Sequence, residues 1–445
     1  MKRIILILAM VALLLPLSAQ ENGDAAQGFT AGLNLGSDLL PNPDTGVLES
    51  WSKLGFQPDL AIGKFGVGLD LTFRFKLYPD GSTPFVLYTP DWIPTGDKTI
   101  FDLYLPKIMY VRYGLRGEDP LYAKLGSISD FTLGNGLIVS NYANTRFLPE
   151  TRLFGLQAGL DGALFGVPYI GAEALTGNLA KLDVIGGRVF LRPLAFLGSN
   201  VLGKLQIGAT AVVDMDPYLY TATPGVGEMI YVYGADVTVP ILTGSAFSLN
   251  VFTEGAMEMN GAMGAIGGIG GKLLGFMDYG AQIRYLQAGF IPTYFDGNYD
   301  LYRSERYEYI DTTVAGDFTP GWLASLGFNL FNQKLAFSAL LDGPFALIPA
   351  SASDDVTAYP HLKGKLVLKE GIIGGLSAEA GYEKYFIGRQ APFFEDLIDP
   401  TDAVIGFTVN YKTGATLLTL AYTYRWDPTL NDFDVSSSLS ATVRF

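Results

Sequence analysis

The segment 129–151 and the residue after it carry charges of both signs. Charges of opposite sign that face each other across a water-filled passage select solutes by their charge, and this is the main chemistry that the sequence offers. The same segment contains an apolar run at 137–139, which is unusual for a solvated loop. The charged candidates are Asp130, Arg146, Glu150 and Arg152.

Enzymatic chemistry finds little support in the sequence. His361 is the only histidine, it follows Pro360 where a long connection enters a predicted strand, and no serine signature lies near it. The glycine-rich stretch 261–272 resembles a phosphate-binding loop, but Ile266 occupies a required glycine position and Leu273 follows Lys272. We therefore expect a loop-rim histidine, no enzyme activity and no cofactor, and a small-residue strand over 261–272 where the sheet bends or another segment packs closely.

Metal binding by nitrogen or sulfur is equally unsupported, because the chain has one histidine and no cysteine. The sequence contains no calcium-binding loop of the D-x-[DN]-x-[DN]-G type. A calcium site built from loop carboxylates stays open, and no metal-ligating residue is predicted.

The elements that must position these residues are long strands. From Val67 to Leu77 apolar residues alternate with polar ones, and the same period of two recurs over 405–412, 418–426 and 435–445. Soluble strands usually have about five or six residues, whereas a period of two over nine to twelve residues is typical of transmembrane strands. The sequence therefore predicts an all-β antiparallel up-and-down fold.

Short and long connections alternate along the chain. This is the order expected when neighbouring strands run antiparallel and turn at opposite ends. The short connections are 63–66, 116–120, 164–166, 242–245, 331–334, 369–375 and 412–415, and the long ones are 38–56, 79–100, 129–151, 216–228, 292–318, 343–360 and 387–401.

The N-terminal residues 1–19 have the pattern of a signal peptide: Lys2 and Arg3, twelve apolar residues, and Ala19 at the cleavage site. Mean hydropathy is +0.26, yet no later stretch is apolar enough for a transmembrane helix. An apolar chain without such helices satisfies its backbone in lipid only by closing a sheet. A net charge of −14 argues against a nucleic-acid partner. We expect residues 20–445 to form one barrel.

The signal peptide, the alternation and the final strand Val435–Phe445 together resemble a Gram-negative-type outer-membrane β-barrel protein of the porin-like kind, with a weaker similarity to spirochaete outer-membrane proteins. The resemblance implies periplasmic termini and an even number of strands, for which we expect 16 to 20, with 20 the best count. It implies outer-membrane lipid, small solutes and the barrel-assembly machinery as partners, with Phe445 as the assembly signal. The sequence does not decide whether the protein forms a homotrimer.

If the apolar face contacts lipid, the polar face lines the lumen. The third long connection of a porin typically folds into the lumen, so Asp130, Arg146, Glu150 and Arg152 are the candidate constriction; a further pair of wall strands over 136–141 is the alternative. The tyrosine-rich connection 292–318 is either a binding surface for sugars or adhesion, or a lid. The expected lumen-facing residues are Asp70, Arg74, Lys76, Lys124, Asp236, Arg284, Lys412, Arg425 and Arg444.

The leading functional hypothesis is a channel for passive diffusion of small solutes, because about 16 strands or more leave an aqueous lumen. The first alternative is a transporter of hydrophobic compounds whose lumen is plugged by residues 20–56, with contributions from Leu39, Leu40 and Trp51. The second is a surface adhesin or structural barrel without transport.

Overall fold

A computed structural model describes most of the chain. The predicted signal peptide, Glu150 and Phe445 lie outside the described residues. The described ranges are 28–42, 47–76, 86–94, 99–148, 151–198, 201–221, 227–346, 358–414, 416–427 and 432–444.

The predicted antiparallel all-β fold is confirmed. Most strands pair antiparallel with the next strand in the chain. The short connections lie where the sequence predicts them, for example between β18 and β19 and between β22 and β23. The strands are β1 (Gly28–Pro41), β2 (Leu48–Ile62), β3 (Phe65–Leu69), β4 (Leu71–Lys76), β5 (Val86–Leu87), β6 (Ile108–Tyr113), β7 (Leu121–Gly126), β8 (Phe131–Leu133), β9 (Val139–Tyr142), β10 (Gly155–Asp161), β11 (Ile170–Thr176), β12 (Val184–Leu191), β13 (Gln206–Asp214), β14 (Ile230–Thr243), β15 (Ser248–Glu258), β16 (Met263–Leu273), β17 (Met277–Gln287), β18 (Phe318–Leu330), β19 (Leu335–Pro344), β20 (His361–Ile373), β21 (Leu376–Lys384), β22 (Ala403–Thr413), β23 (Thr416–Asp427) and β24 (Asp432–Arg444).

Helices are short and lie in the connections. None of the described helices is long and apolar enough to cross a membrane. The α-helices are α1 (Ile100–Tyr104), α2 (Arg303–Thr312) and α3 (Phe393–Ile398), and 3-10 turns occur at Thr89–Asp91, Leu105–Lys107, Gly162–Phe165, Ala195–Leu197, Val201–Lys204 and Tyr299–Leu301.

The chain divides into two compact units. Unit 1 takes in the described residues of Met1–Val111, Tyr411–Thr419 and Leu439–Phe445, and unit 2 those of Arg112–Asn410 and Leu420–Ser438. Strands β6, β22, β23 and β24 contribute residues to both units.

In unit 1, β1 pairs antiparallel with β2 along its whole length and with β24 from Gly32–Arg444 to Gly36–Ser440. β2 pairs with both β3 and β4, which are separated only by Asp70 and therefore form one interrupted strand. The predicted long connection over 38–56 is wrong, because β1 and β2 extend into it and leave only 42–47 between them. Leu39, Leu40 and Trp51 therefore belong to wall strands and not to a plug.

In unit 2, β7 pairs with β10, and each strand from β10 to β20 pairs antiparallel with its successor. The alternation predicted from the sequence is visible in their burial. In β12, for example, Arg188 is buried whereas Val189 is 57% exposed, and in β17 Arg284 is buried whereas Ile283 is 68% exposed. One face of these strands is therefore apolar and exposed, and the other carries the buried charges.

Candidate functional site

β8, its turn and β9 form a hairpin (Phe131–Tyr142, the inner hairpin) that is a separate two-stranded sheet. Gly134 and Gly136 adopt positive φ values of 60° and 90° in the turn, a region of backbone conformation that favours glycine. Phe131, Leu133 and Val139 are fully buried. The alternative of a wall strand pair over 136–141 is therefore wrong, and the apolar run is explained by packing in the interior of the unit.

Glu254 of β15 holds the turn of the inner hairpin. One carboxylate oxygen accepts the backbone N–H groups of Asn135 (2.8 Å) and Leu137 (3.3 Å). The Thr238 hydroxyl donates to the Asn135 side chain at 2.8 Å. Because Glu254 and Thr238 lie on neighbouring wall strands, the turn is fastened to the face that carries the buried charges.

A row of alternating charges lies on this face. The Arg188 guanidinium donates to both oxygens of Asp236 at 2.8 and 2.6 Å and lies 3.6 Å from Glu173. Arg116 approaches Glu173 at 3.0 Å and also donates to the carbonyl of Thr132 in the inner hairpin. Buried charges are tolerated when they are paired in this way.

The connection between β17 and β18 (288–317, the tyrosine segment) packs on the inner hairpin through backbone hydrogen bonds. The N–H groups of Thr293 and Phe295 donate to Leu137 and Ile138 at 2.7 and 3.0 Å, and the N–H of Ser140 donates to Phe295 at 3.2 Å. The two segments form one folded insert against the wall strands.

The aromatic residues of the tyrosine segment are mostly buried in this insert. Tyr294, Phe295 and Tyr299 are fully buried, and their rings pack at centroid distances of 4.7 to 5.7 Å. Tyr307 is 6% exposed. The hypothesis that these tyrosines offer a sugar-binding or adhesive surface is wrong for the buried members, because their rings are already covered by the protein.

Arg303 of α2 fastens the tyrosine segment to the ends of two wall strands. Its guanidinium is bidentate on Asp214 of β13 and donates to Asp183 at 2.8 Å, and all three side chains are at most 2% exposed. Burial lowers the pKa of Arg303, but the hydrogen bond and the charge of Asp214 outweigh it and raise the pKa above its usual value. Arg303 therefore stays charged and offsets part of the negative charge of the two carboxylates.

Asp300, next to this cluster, has an unusual environment for a carboxyl group. One oxygen accepts the Tyr142 hydroxyl at 3.3 Å, and the other is buried without a hydrogen-bond partner among the described residues. Burial raises the pKa of Asp300 to about 7, although the nearby Arg303 charge opposes the shift. Asp300 therefore carries a proton below neutral pH.

The predicted constriction residues make separate contacts. Arg146 donates to the Gly297 carbonyl of the tyrosine segment, and Arg152 donates to the Ser127 hydroxyl at 3.1 Å. Asp130 is exposed and accepts a hydrogen bond from Ser129 at 3.2 Å. Arg146 borders a cavity of about 340 Å³ together with Arg303 and Arg425. Glu150 lies outside the described residues.

The predicted lumen-facing residues of unit 1 are engaged in ion pairs. Arg74 contacts Asp38 at 2.7 Å and Asp91 at 2.9 Å, and Lys53 contacts the same Asp38 at 2.8 Å. Lys76 pairs with Glu49. The positive and negative charges of neighbouring strands therefore compensate one another locally.

The other predicted lumen-facing residues lie in strands or beside them. Asp70 accepts the Thr72 hydroxyl at 2.7 Å between β3 and β4. In unit 2, Arg284 pairs with Asp342, and Arg425 donates to the Leu301 carbonyl at 3.1 Å. Lys124 lies in β7, Asp236 in β14, Lys412 in β22 and Arg444 in β24.

His361 is the first residue of β20, as its position after a long connection suggests, but it is not a free rim side chain. Nδ1 lies 2.9 Å from Asp342 and Nε2 lies 3.1 Å from Glu383, and the ring stacks on Tyr385. A histidine with a carboxylate on each nitrogen is a charge-pairing residue. Asn298 of the tyrosine segment also donates to Glu383, at 2.6 Å.

Sequence reasoning missed Arg188, Glu254 and Arg303 as organising residues. Arg188 could have been found, because it is the only charged residue in the apolar stretch 184–191. Glu254 and Arg303 act on residues more than 80 positions away, and no local pattern reports such contacts.

The chain is similar over most of its length to several solved structures. OpdL from Pseudomonas aeruginosa covers 94% of this chain and 98% of its own, with 10% identity and a TM-score of 0.32. A BenF-like porin from Pseudomonas fluorescens covers 95% and 100%, with 11% identity and a TM-score of 0.34. The FrpB iron transporter from Neisseria meningitidis covers 94% and 82%, with 9% identity and a TM-score of 0.35.

No protein-family model and no curated protein sequence matches the chain. The names of two of the structures above describe a porin and an iron transporter. Because these TM-scores are below 0.5, the function proposed next depends on this chain's own residues.

Proposed function

We propose that the chain is an outer-membrane channel for passive diffusion of small solutes. The observation that carries the proposal is the division of the wall strands of unit 2 into two faces. Large apolar side chains such as Val189, Tyr233 and Ile283 are exposed on one face, whereas Arg188, Asp236 and Arg284 are buried on the other. An exposed apolar face suits lipid, and a charged, ion-paired opposite face suits the polar interior of a barrel.

A sheet in lipid has to close, because unpaired strand edges cost several kcal/mol for each unsatisfied backbone group. The pairing of β1 with β24 supports closure. We count β3 with β4 as one interrupted strand and β5 with β6 as another, and we leave out the two strands of the inner hairpin. On this count the described residues form twenty strands. This number supports the best count of 20 strands from the sequence, and it fits the proposal that residues 20–445 form a single barrel.

The inner hairpin and the tyrosine segment narrow the passage in this proposal. Their attachment to Glu254, Asp214 and Asp183 supports a fixed insert on the inner face of the wall. Asp130, Arg146, Glu150 and Arg152 belong to the strand connection that contains the hairpin, and they are the residues that we propose set the charge selectivity. Outer-membrane lipid, the assembly machinery acting on Phe445, and a cleaved signal peptide belong to the same proposal.

Single-channel conductance in planar bilayers is the first test. We expect stepwise currents. We also expect liposomes that contain the protein to swell as small sugars pass through it. Near-zero current would remove the channel hypothesis.

Replacing Arg146 and Arg152 with Ser tests the constriction. Removing two positive charges should shift the reversal potential in a KCl gradient towards cation selectivity. Arg389→Ser removes one positive charge from a residue outside the insert, where it pairs with Asp402 at 2.6 Å, and serves as the control. Ion selectivity that is unchanged in the double variant and equal to that of the control would contradict the constriction.

One observation favours the plugged transporter as a second candidate. Apolar side chains of the insert and of the wall strands, such as Ile138, Val212 and Phe290, form one buried cluster. If this cluster seals the passage, the protein should conduct poorly and copurify with lipid. The plug would then be the insert and not residues 20–56.

A further inference from the structure

A cavity of about 600 Å³ lies in unit 2 beside the turn of the inner hairpin. Cavities of 300 to 1,000 Å³ that combine an apolar surface with a few polar groups are typical small-molecule sites. The lining residues used below are Asn135, Gln206, Thr238, Asn250, Phe252 and Gly270.

The apolar surface is the ring of Phe252 in β15. The ring lies over the glycine-rich strand β16, where a Cβ on Gly268 would approach it to 2.9 Å and a Cβ on Gly270 would be 3.9 Å away. Larger residues at these positions would displace the ring or occupy the cavity. The glycines that resembled a phosphate loop in the sequence therefore make room for an aromatic side chain and for the space in front of it.

The polar groups of the lining are amides and a hydroxyl. Asn250 makes no side-chain hydrogen bond to another residue of the described chain, and Gln206 receives only a long contact of 3.4 Å from Arg188. Thr238 and Asn135 bind each other. Amide side chains donate and accept hydrogen bonds at once, as vicinal hydroxyl groups require.

The charges at the edge of the cavity are already engaged. Arg192 pairs with Asp161 at 2.7 Å, and the Lys204 ammonium donates to the Thr243 hydroxyl at 3.0 Å. An ionic solute would have to compete with these contacts, whereas a neutral solute would not.

We infer that this cavity is a binding subsite for a neutral polyhydroxylated solute of the size of a mono- or disaccharide. The C–H face of the sugar packs on the Phe252 ring, and its hydroxyl groups bond to Asn250 and Gln206. The inference rests on the proposed channel function for the route by which the solute arrives, but the binding itself does not require conduction.

Equilibrium dialysis of the detergent-solubilised protein against radiolabelled sucrose tests the site. We expect saturable binding. Phe252→Leu keeps an apolar side chain without the ring and should weaken binding about fivefold, whereas Phe252→Tyr should preserve it. Asn250→Ala should also weaken binding about fivefold and leaves no partner unsatisfied. Val251→Ala is the matched control, because Val251 lies between these two residues on the exposed face of β15.

The outcomes separate the two proposals. Saturable sucrose binding that is weakened by both Phe252→Leu and Asn250→Ala supports the subsite, even if bilayers show no current and the channel proposal fails. Sucrose binding that is absent in the wild-type protein, or equal in the wild type and both variants, overturns the subsite, even if the protein conducts. Unchanged heat-dependent gel mobility of each variant confirms that it has folded.

Discussion

Arg303 connects the tyrosine segment to two buried carboxylates. It bonds to Asp214 and Asp183, and its guanidinium lies over the rings of Tyr220 and Tyr299 at 5.2 and 5.8 Å. In the sequence it is one of many charged residues in a long connection, so its burial could not be predicted. The pattern predicts charges in the interior, but which charges meet depends on the tertiary structure.

Asp300 makes a pH-dependent contribution to stability. Its pKa is raised from 3.8 to about 7 by burial, so the folded state binds its proton more tightly than the unfolded state does. The resulting stabilisation is complete below pH 3.8 and is lost as the pH rises through about 7. Asp300→Asn removes this dependence.

We therefore expect the free energy of unfolding of Asp300→Asn, relative to the wild type, to rise by a few kcal/mol between about pH 4 and pH 8. Denaturant titrations of both proteins at the two pH values measure it. Asp130→Asn is the control, because Asp130 is exposed, and it should show a much smaller change. If the free energy of unfolding of Asp300→Asn differed from that of the wild type by the same amount at both pH values, Asp300 would be ionised in the folded state over this whole range.

At the scale of elements, the inner hairpin is the feature that departs most from a simple alternation of strands and loops. Its apolar run was visible in the sequence and left two interpretations open. The structure decides between them, because the hairpin pairs with itself and with the tyrosine segment, which lies about 150 residues later in the chain. Only long-range packing distinguishes such a hairpin from a pair of wall strands.

Glu254→Ala should loosen the hairpin without unfolding the wall. The variant removes the acceptor for the Asn135 and Leu137 N–H groups, and we expect hydrogen exchange of the peptide covering 131–142 to accelerate at least about tenfold. Glu379→Ala is the control, because Glu379 is about half exposed and pairs with Lys365, which is equally exposed. If both variants exchanged at the wild-type rate, the carboxylate would not be what holds the turn.

At the scale of the whole molecule, the proposed closure of the sheet depends on the register of β1 against β24. Leu35 lies opposite Ala441 in that register, and opposed residues of antiparallel strands have Cα atoms about 4.5 to 5.5 Å apart, within the range of a disulfide. The chain has no native cysteine that would compete.

The double variant Leu35→Cys with Ala441→Cys should form an intramolecular disulfide under mild oxidation and migrate differently on a non-reducing gel. Leu35→Cys with Ser440→Cys places the two side chains on opposite faces and should crosslink poorly. Equal crosslinking of the two pairs would contradict the register.

By itself, the sequence determined the antiparallel β-fold, the places of the short turns and the separation of an apolar from a charged face. These features follow from a period of two and from turn residues, which act over a few neighbouring positions. The tertiary structure decided that residues 48–56 are wall strand, that the third connection folds into an insert, and that His361 lies between two carboxylates. Each of these depends on which strands are neighbours and in what register, because side chains from different strands then share one interior. A local pattern does not encode that choice of partners.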